Sequence, residues 1–159
     1  MIIIGYQGIG KSTLAAQDIT CIDLESGNFW YNVNGKQLRD DMWYVPYCNI
    51  AESLSAQGYD VLVSSHSAVR RQLAHTPEHV VAVVPALNLK DKWIDKLRDR
   101  YEYTHKDKDL KALLNAEELY TTNIEDIKLS CPNVIEITHM NYQLGLMIHD
   151  YHRQLKEDM

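Results

Sequence analysis

The chain reads as an α/β protein, a parallel sheet of about five strands with helices on both faces. Two observations predict it. Short, β-branched apolar runs recur at Met1–Ile4, Ile19–Leu24, Val61–Val63, Val80–Val84 and Val134–Ile137. They are nearly continuous rather than alternating, as strands covered on both faces must be. Stretches of helical spacing lie between them, and strand–helix alternation implies right-handed crossovers into a parallel sheet. The length of 159 residues, 45% apolar and 24% charged, suits a single domain over 1–159 with a core able to fold alone.

The first strand opens directly into Gly5-Tyr6-Gln7-Gly8-Ile9-Gly10-Lys11-Ser12, the pattern GxxxxGK(S/T). A helix over Lys11–Gln17 follows, with Thr13-Leu14-Ala15-Ala16 as good helix formers. Glycines in such a loop let backbone N–H groups curl around phosphate oxygens, Lys11 reaches the β- and γ-phosphates, and Ser12 can ligate Mg²⁺. The helix dipole adds partial positive charge beneath the same anion. The fold expected is thus a three-layer P-loop fold. Its triphosphate set is Gly5, Gln7, Gly8, Ile9, Gly10, Lys11, Ser12 and Thr13, with ATP and Mg²⁺ as cofactors.

The remaining elements follow in order. After the second strand, residues 28–48 are rich in aromatics, including Phe29, Trp30, Trp43 and Tyr47, and contain the turn signal Asn34-Gly35. Helical spacing resumes at about Ile50–Gln57 and stops at Gly58 before the third strand. Ser67 suits the N-cap of a helix over about Ala68–Ala74. A helix over Lys90–Tyr103, helical spacing from Leu110 to about Lys128 with interruptions, and a last helix from about Tyr142 to Leu155 complete the chain.

Ligands on parallel sheets sit at the carboxyl ends of the strands, so strand-end residues are the ones to read for chemistry. Asp23 and Glu25 follow the second strand and point to the same side of an extended segment. One could hold the water shell of Mg²⁺ while the other takes a substrate hydroxyl or phosphate; a solvated acidic turn is the plainer alternative. The third strand ends in Ser64-Ser65-His66 with no acid, Asp60 lying at its start. That weakens an ATP-hydrolysing reading and moves the metal role to Ser12 and Asp23. His66 could be structural or could face substrate, and Arg70, near the His66 side of its helix, could reach a phosphate. The aromatics Phe29 and Trp30 could stack a nucleobase or form a satellite core.

Residues 90–111 hold eight of the sixteen Lys and Arg residues. Trp93, Ile94, Leu97 and Tyr101 make an apolar stripe at helical spacing, while Asp95 and Arg98 suggest surface pairing. The segment is either a salt-bridged surface helix or a mobile lid bringing Arg98 or Arg100 to the transferring phosphoryl, with Arg98 narrowly favoured.

With these residues in hand, the chain resembles the small P-loop kinases, most of all the nucleoside or deoxynucleoside monophosphate kinases of bacteriophages. The resemblance rests on Gly5–Thr13, Asp23-Leu24-Glu25-Ser26, Ser64-Ser65-His66 followed by Arg70, and the segment holding Arg98 and Arg100. It implies an acceptor-binding segment at 26–48 and a lid at 90–128. Catalytic roles would fall to Lys11, Asp23, Arg98 and Arg100, and substrate contacts to Glu25, Phe29, Trp30, His66 and Arg70. The first helix is shorter than in adenylate or shikimate kinases. The spacing GKSTLAA…IDLESG is also similar to compact RecA-like ATPases of DNA metabolism, and a non-catalytic nucleotide-binding module is a third possibility. A net charge of −6 argues against stable nucleic-acid binding. No apolar run nears 18 residues and no basic leader precedes the first strand, so neither a membrane span nor a secretory signal is expected. Cys21, Cys48 and Cys131 have no CxxC spacing and read as buried, reduced thiols of a cytoplasmic protein, in host cytoplasm if the origin is a phage.

Overall fold

A computed structural model describes residues 1–159. Five parallel strands form its centre: β1 (Ile2–Gly5), β2 (Cys21–Asp23), β5 (Asp60–Ser64), β6 (Val80–Pro85) and β7 (Val134–Ile137), in the order β2-β5-β1-β6-β7. The first strand is central, paired Ile2↔Val61 on one side and Ile2↔Val80 on the other. Ile2, Ile3 and Ile4 are at most 1% exposed, which explains why this strand is apolar at every position. Each such side chain contributes about 1.5–3 kcal/mol by leaving water. Around the sheet pack α1 (Lys11–Gln17), α2 (Tyr44–Ala56), α3 (Ser67–Leu73), α4 (Lys90–Thr104), α5 (Asp107–Ser130) and α6 (Leu144–Glu157). This is the three-layer α/β architecture the apolar runs predict. All three cysteines are free and buried. No helix is long and apolar enough to cross a membrane.

Several boundaries differ from the sequence expectation, each for a local reason. The second strand begins only at Cys21, because Asp18 turns the chain by accepting from the Thr20 amide and leaves Ile19 93% exposed. The helix expected from Ile50 begins at Tyr44; Pro46 lies in its first turn, where no N–H is needed. His66, not Ser67, occupies the N-cap of α3, and no side chain caps that helix. The interruption foreseen in the long helical stretch is a kink at Leu119, with φ −129° inside α5.

A second sheet was not expected. Residues 31–38 fold into an antiparallel hairpin, β3 (Tyr31–Val33) and β4 (Lys36–Leu38), beyond a 3₁₀ turn over Ser26–Phe29. Asn34 and Gly35 both take positive φ, 51° and 79°, the two-residue turn whose twist matches a hairpin. Every residue of the two strands is exposed, and at three residues each they carry too short a pattern to mark a buried face.

Candidate functional site

The phosphate loop leaves the carboxyl end of the central strand and is held from outside by three elements. Trp93 of α4 donates its indole N–H to the Gln7 carbonyl at 2.9 Å, and the Tyr142 hydroxyl donates to the Ile9 carbonyl at 2.8 Å. Gln7 in turn donates from its amide nitrogen to the Ala112 carbonyl and to Asn115 Oδ1 on α5, at 3.0 and 3.1 Å. Gly8 and Gly10 take φ of 86° and 103°, and a Cβ on Gly8 would come within 2.9 Å of Leu97. Both positions therefore require glycine. The amides of Gly8, Gly10, Lys11, Ser12 and Thr13 donate to no backbone acceptor, which leaves them available to phosphate oxygens. The Lys11 ammonium folds back to the Gly5 carbonyl at 3.0 Å. Burial pulls its pKa below the ordinary value, while the carboxylates of Asp23 and Glu25 push it back up.

A cavity of about 850 Å³ opens over this loop, and Asp23 and Glu25 both line it. Strand β2 pairs Asp23↔Leu62 beside β5, and the buried Tyr47 fixes the strand ends by donating to the Leu24 carbonyl at 2.6 Å and accepting from the Ser64 amide at 2.9 Å. Burial, and then the neighbouring Glu25, push the Asp23 carboxyl up to about 6. Ser12 lines the same cavity. An all-oxygen set of two crowded carboxylates and a hydroxyl suits Mg²⁺, a hard cation that would relieve the repulsion between the acids. Asp60 lies at the opposite end of β5, 2.9 Å from His152, as its place in the sequence requires.

Helices α4 and α5 form a further wall. Trp93 and Leu97 are 0% and 1% exposed, so the apolar stripe on α4 is a packing face set directly against the phosphate loop. The turn between the helices is short, with His105 at φ 53°. Arg98 and Arg100 separate clearly. Arg98 faces away from the cavity and pairs with Asp95 and Glu117 at 2.9 and 3.3 Å. Arg100 lines the cavity, its Nε 2.9 Å from Asp109 Oδ1. Of the two, only Arg100 is placed at the cavity, a difference helical spacing alone does not reveal because it does not say where the buried Asp109 stands.

Four of the expected substrate-contact residues lie outside the cavity. Arg70 donates to the Ser65 and Asp126 carbonyls and to Ser130 Oγ, and lines a separate cavity of about 180 Å³. Its guanidinium therefore ties α3 to α5. His66 Nδ1 lies 2.7 Å from Ser64 Oγ, and its ring meets Trp43 edge-on, with centroids 5.3 Å apart. Phe29 packs on Trp43 and Tyr47, the satellite-core alternative. Trp30 is 43% exposed, with one face taken by Arg39 rather than open to a base.

The sequence reading passed over Lys96, Lys108, Asp109 and the stretch Tyr142–Leu146, all of which line the cavity. Lys96 lies over the rings of Trp93 and Tyr142, 4.5 and 4.9 Å from their centroids, and donates to the Tyr142 hydroxyl at 2.7 Å. Burial, aided by Arg100, lowers its pKa to about 8. Only its place in a basic segment hinted at this role.

No family model matches the chain, and no curated protein matches it by sequence. Among solved structures, the tunicamycin resistance protein of Deinococcus radiodurans is similar over 97% of this chain and 94% of its own, with a TM-score of 0.53 and 15% identity. At that identity the likeness speaks for architecture alone: a five-stranded parallel sheet with helices on both faces, here carrying a GxxxxGK(S/T) loop after its central strand.

Proposed function

We propose that the protein transfers the γ-phosphoryl group of ATP to a nucleoside or deoxynucleoside monophosphate. The observation that carries this reading is the set of groups gathered around one cavity. Free loop amides and Lys11 line it from the phosphate loop and α1, Asp23 and Glu25 from the end of β2, and Arg100, Lys96 and Lys108 from α4 and α5. Phosphoryl transfer asks a protein mainly for positioning and charge neutralisation, with little need of a strong base. In this reading the loop amides and Lys11 grip the donor phosphates, and Glu25 orients the acceptor. The Arg100 guanidinium balances charge that develops on the moving phosphoryl. Mg²⁺ held by Ser12 and Asp23 would neutralise the β- and γ-oxygens.

The test is a panel of common ribo- and deoxyribonucleoside monophosphates with ATP and Mg²⁺, following ADP. Acceptor-dependent ADP formation is expected for at least one of them. ADP formation at the acceptor-free rate throughout would sink the reading, and stimulation by single-stranded DNA instead would favour an ATPase of DNA metabolism.

A further inference from the structure

Two asparagines eight residues apart on one helix are hydrogen-bonded to each other. Asn123 donates from Nδ2 to Asn115 Oδ1 at 2.9 Å, both on α5. In a straight helix eight residues span about 12 Å along the axis, too far for two short amides to meet. The bond exists because α5 bends at Leu119, midway between them, where φ is −129° and ψ is 18°. The same Oδ1 also accepts from Gln7 Nε2 of the phosphate loop at 3.1 Å. Both lone pairs of that oxygen are therefore taken, one by the far side of the bend and one by the loop.

The bend divides α5 into an anchored part and an arm. Beyond it Tyr120, Ile124 and Ile127 are at most 1% exposed, and Tyr120 donates to the Ala86 carbonyl at 2.7 Å. Before it lie Lys108, Asp109 and Ala112, all on the cavity. Asp109 holds Arg100 Nε at 2.9 Å, while α4, which carries Arg100, is tied separately to the loop by Trp93. A change in the bend thus moves Asp109 against Arg100. Asp109 stands about 15 Å along the helix from Leu119, so a swing of about 10° would carry it about 2.5 Å. A misplacement of about 1 Å can cost about 10²-fold in rate, so the bend has to be held closely.

We propose that Asn115 is a positioning residue: it keeps α5 bent at Leu119 and locks the arm to Gln7, so that Asp109 presents Arg100 to the phosphates. The proposal rests on the phosphotransferase reading above and adds the residue that sets the geometry of its Arg100 contact. Gln7 suits the other end of the tie. Its carbonyl accepts from Trp93, and its side-chain amide donates to Asn115 and to the Ala112 carbonyl, so one loop residue fixes α4 and α5 together. Neither asparagine lines the cavity, and both are half-buried. Their effect therefore passes through other residues rather than through contact with a ligand. Asn115 enters both bonds as the acceptor, so an aspartate there would keep both.

The test compares full-length wild type, Asn115→Leu, Asn115→Asp, Asn123→Leu, Arg100→Ala and the double variant joining Asn115→Leu to Arg100→Ala. A melting curve for each sets a temperature at which all are folded. Asn115→Leu should lower kcat about tenfold or more, with Mg·ATP affinity by calorimetry within about threefold of wild type, because the loop amides and Lys11 are untouched. Asn115→Asp should bring kcat back to within about threefold of wild type. In the Arg100→Ala background, Asn115→Leu should cost less than about twofold more, since the residue it acts through is gone. Wild-type kcat in Asn115→Leu, an Asn115→Asp as slow as the leucine variant, or a double variant slowed by the full product would each overturn the proposal. Amide exchange without nucleotide is a separate arm. Across residues 113–122 it should quicken about tenfold in both leucine variants, the scale of one lost hydrogen bond, while β1 and Asn115→Asp keep wild-type rates. Unchanged exchange in both would overturn the clasp. Should Asn115→Leu not fold, Asn123→Leu, alone and joined to Arg100→Ala, carries the same comparisons. A wild type that transfers no phosphoryl group to any monophosphate would sink the phosphotransferase reading alone, and the exchange rates would still decide the clasp.

Discussion

Arg100 Nε and Asp109 Oδ1 lie 2.9 Å apart, with the carboxylate side chain 3% exposed and the guanidinium 42% exposed. The other Asp109 oxygen accepts from the Thr104 hydroxyl. A buried acid anchored at both oxygens grips one edge of Arg100, leaving the two terminal nitrogens without a protein partner. This geometry orients a cation toward the cavity more firmly than a free side chain would be.

Arg100→Ala is accordingly expected to lower kcat by about 10²-fold or more, the scale of a lost transition-state charge contact. Arg98→Ala, which removes only exposed pairs, should stay near wild type. Asp109→Asn should lower kcat through Arg100 and also cost about 1–3 kcal/mol of stability, because Arg100 and Thr104 lose a charged acceptor. Steady-state kinetics of the two single variants and the double variant would check it. A fully additive double variant would separate Asp109 from Arg100.

Lys11→Ala should abolish ATP binding by calorimetry while leaving the melting temperature within a few degrees of wild type. Lys11 makes one hydrogen bond, to the Gly5 carbonyl, and supports no core. Unchanged ATP affinity would mean the loop does not bind triphosphate.

Asp23 couples the site to stability with a definite sign. Its pKa is raised to about 6 in the folded protein. The folded state therefore holds the extra proton between the ordinary carboxylate value and about pH 6. Stability from this group is full at low pH and is lost as pH rises through about 6. Asp23→Asn should raise the melting temperature at pH 7.5 by about 2–4 °C and lose this pH dependence, while Mg²⁺-dependent turnover falls by orders of magnitude. Thermal scans from pH 4.5 to 8 with parallel assays would decide; a destabilised Asp23→Asn at pH 7.5 would contradict the electrostatic account.

Lys96, with its pKa lowered to about 8, is partly neutral at pH 8.5. Phosphates entering the cavity favour its charged form, so ATP binding at pH 8.5 should take up protons and at pH 7 should take up almost none. Calorimetry in buffers of different ionisation enthalpy reads this directly. Lys96→Met should erase the uptake, and an undiminished uptake in that variant would place the titrating group elsewhere.

The sheet and the phosphate loop were legible because their signals are local: continuous β-branched runs for strands buried on both faces, and glycines where the loop needs positive φ. The hairpin over 31–38 left only its Asn34-Gly35 turn visible, since its strands are three residues each and wholly exposed. The choice of Arg100 over Arg98 depends on Asp109, which a helical wheel for α4 cannot show. Arg70 looked free by its turn of helix, yet Ser130, 60 residues later, takes its guanidinium. Tyr142 holds the loop from 133 residues away, a contact no spacing announces.

The ties on the loop carbonyls have a consequence for portability. A trans peptide sets its C=O and the next N–H in opposite directions. When Trp93 draws the Gln7 carbonyl outward, the Gly8 amide turns inward; when Tyr142 draws the Ile9 carbonyl, the Gly10 amide does the same. The inward array of donors is thus imposed by an indole on α4 and a phenol ahead of α6. A graft of residues 5–12 into another strand–helix junction would carry the letters without those two handles, and its phosphate affinity, measured against this protein's, should fall far short.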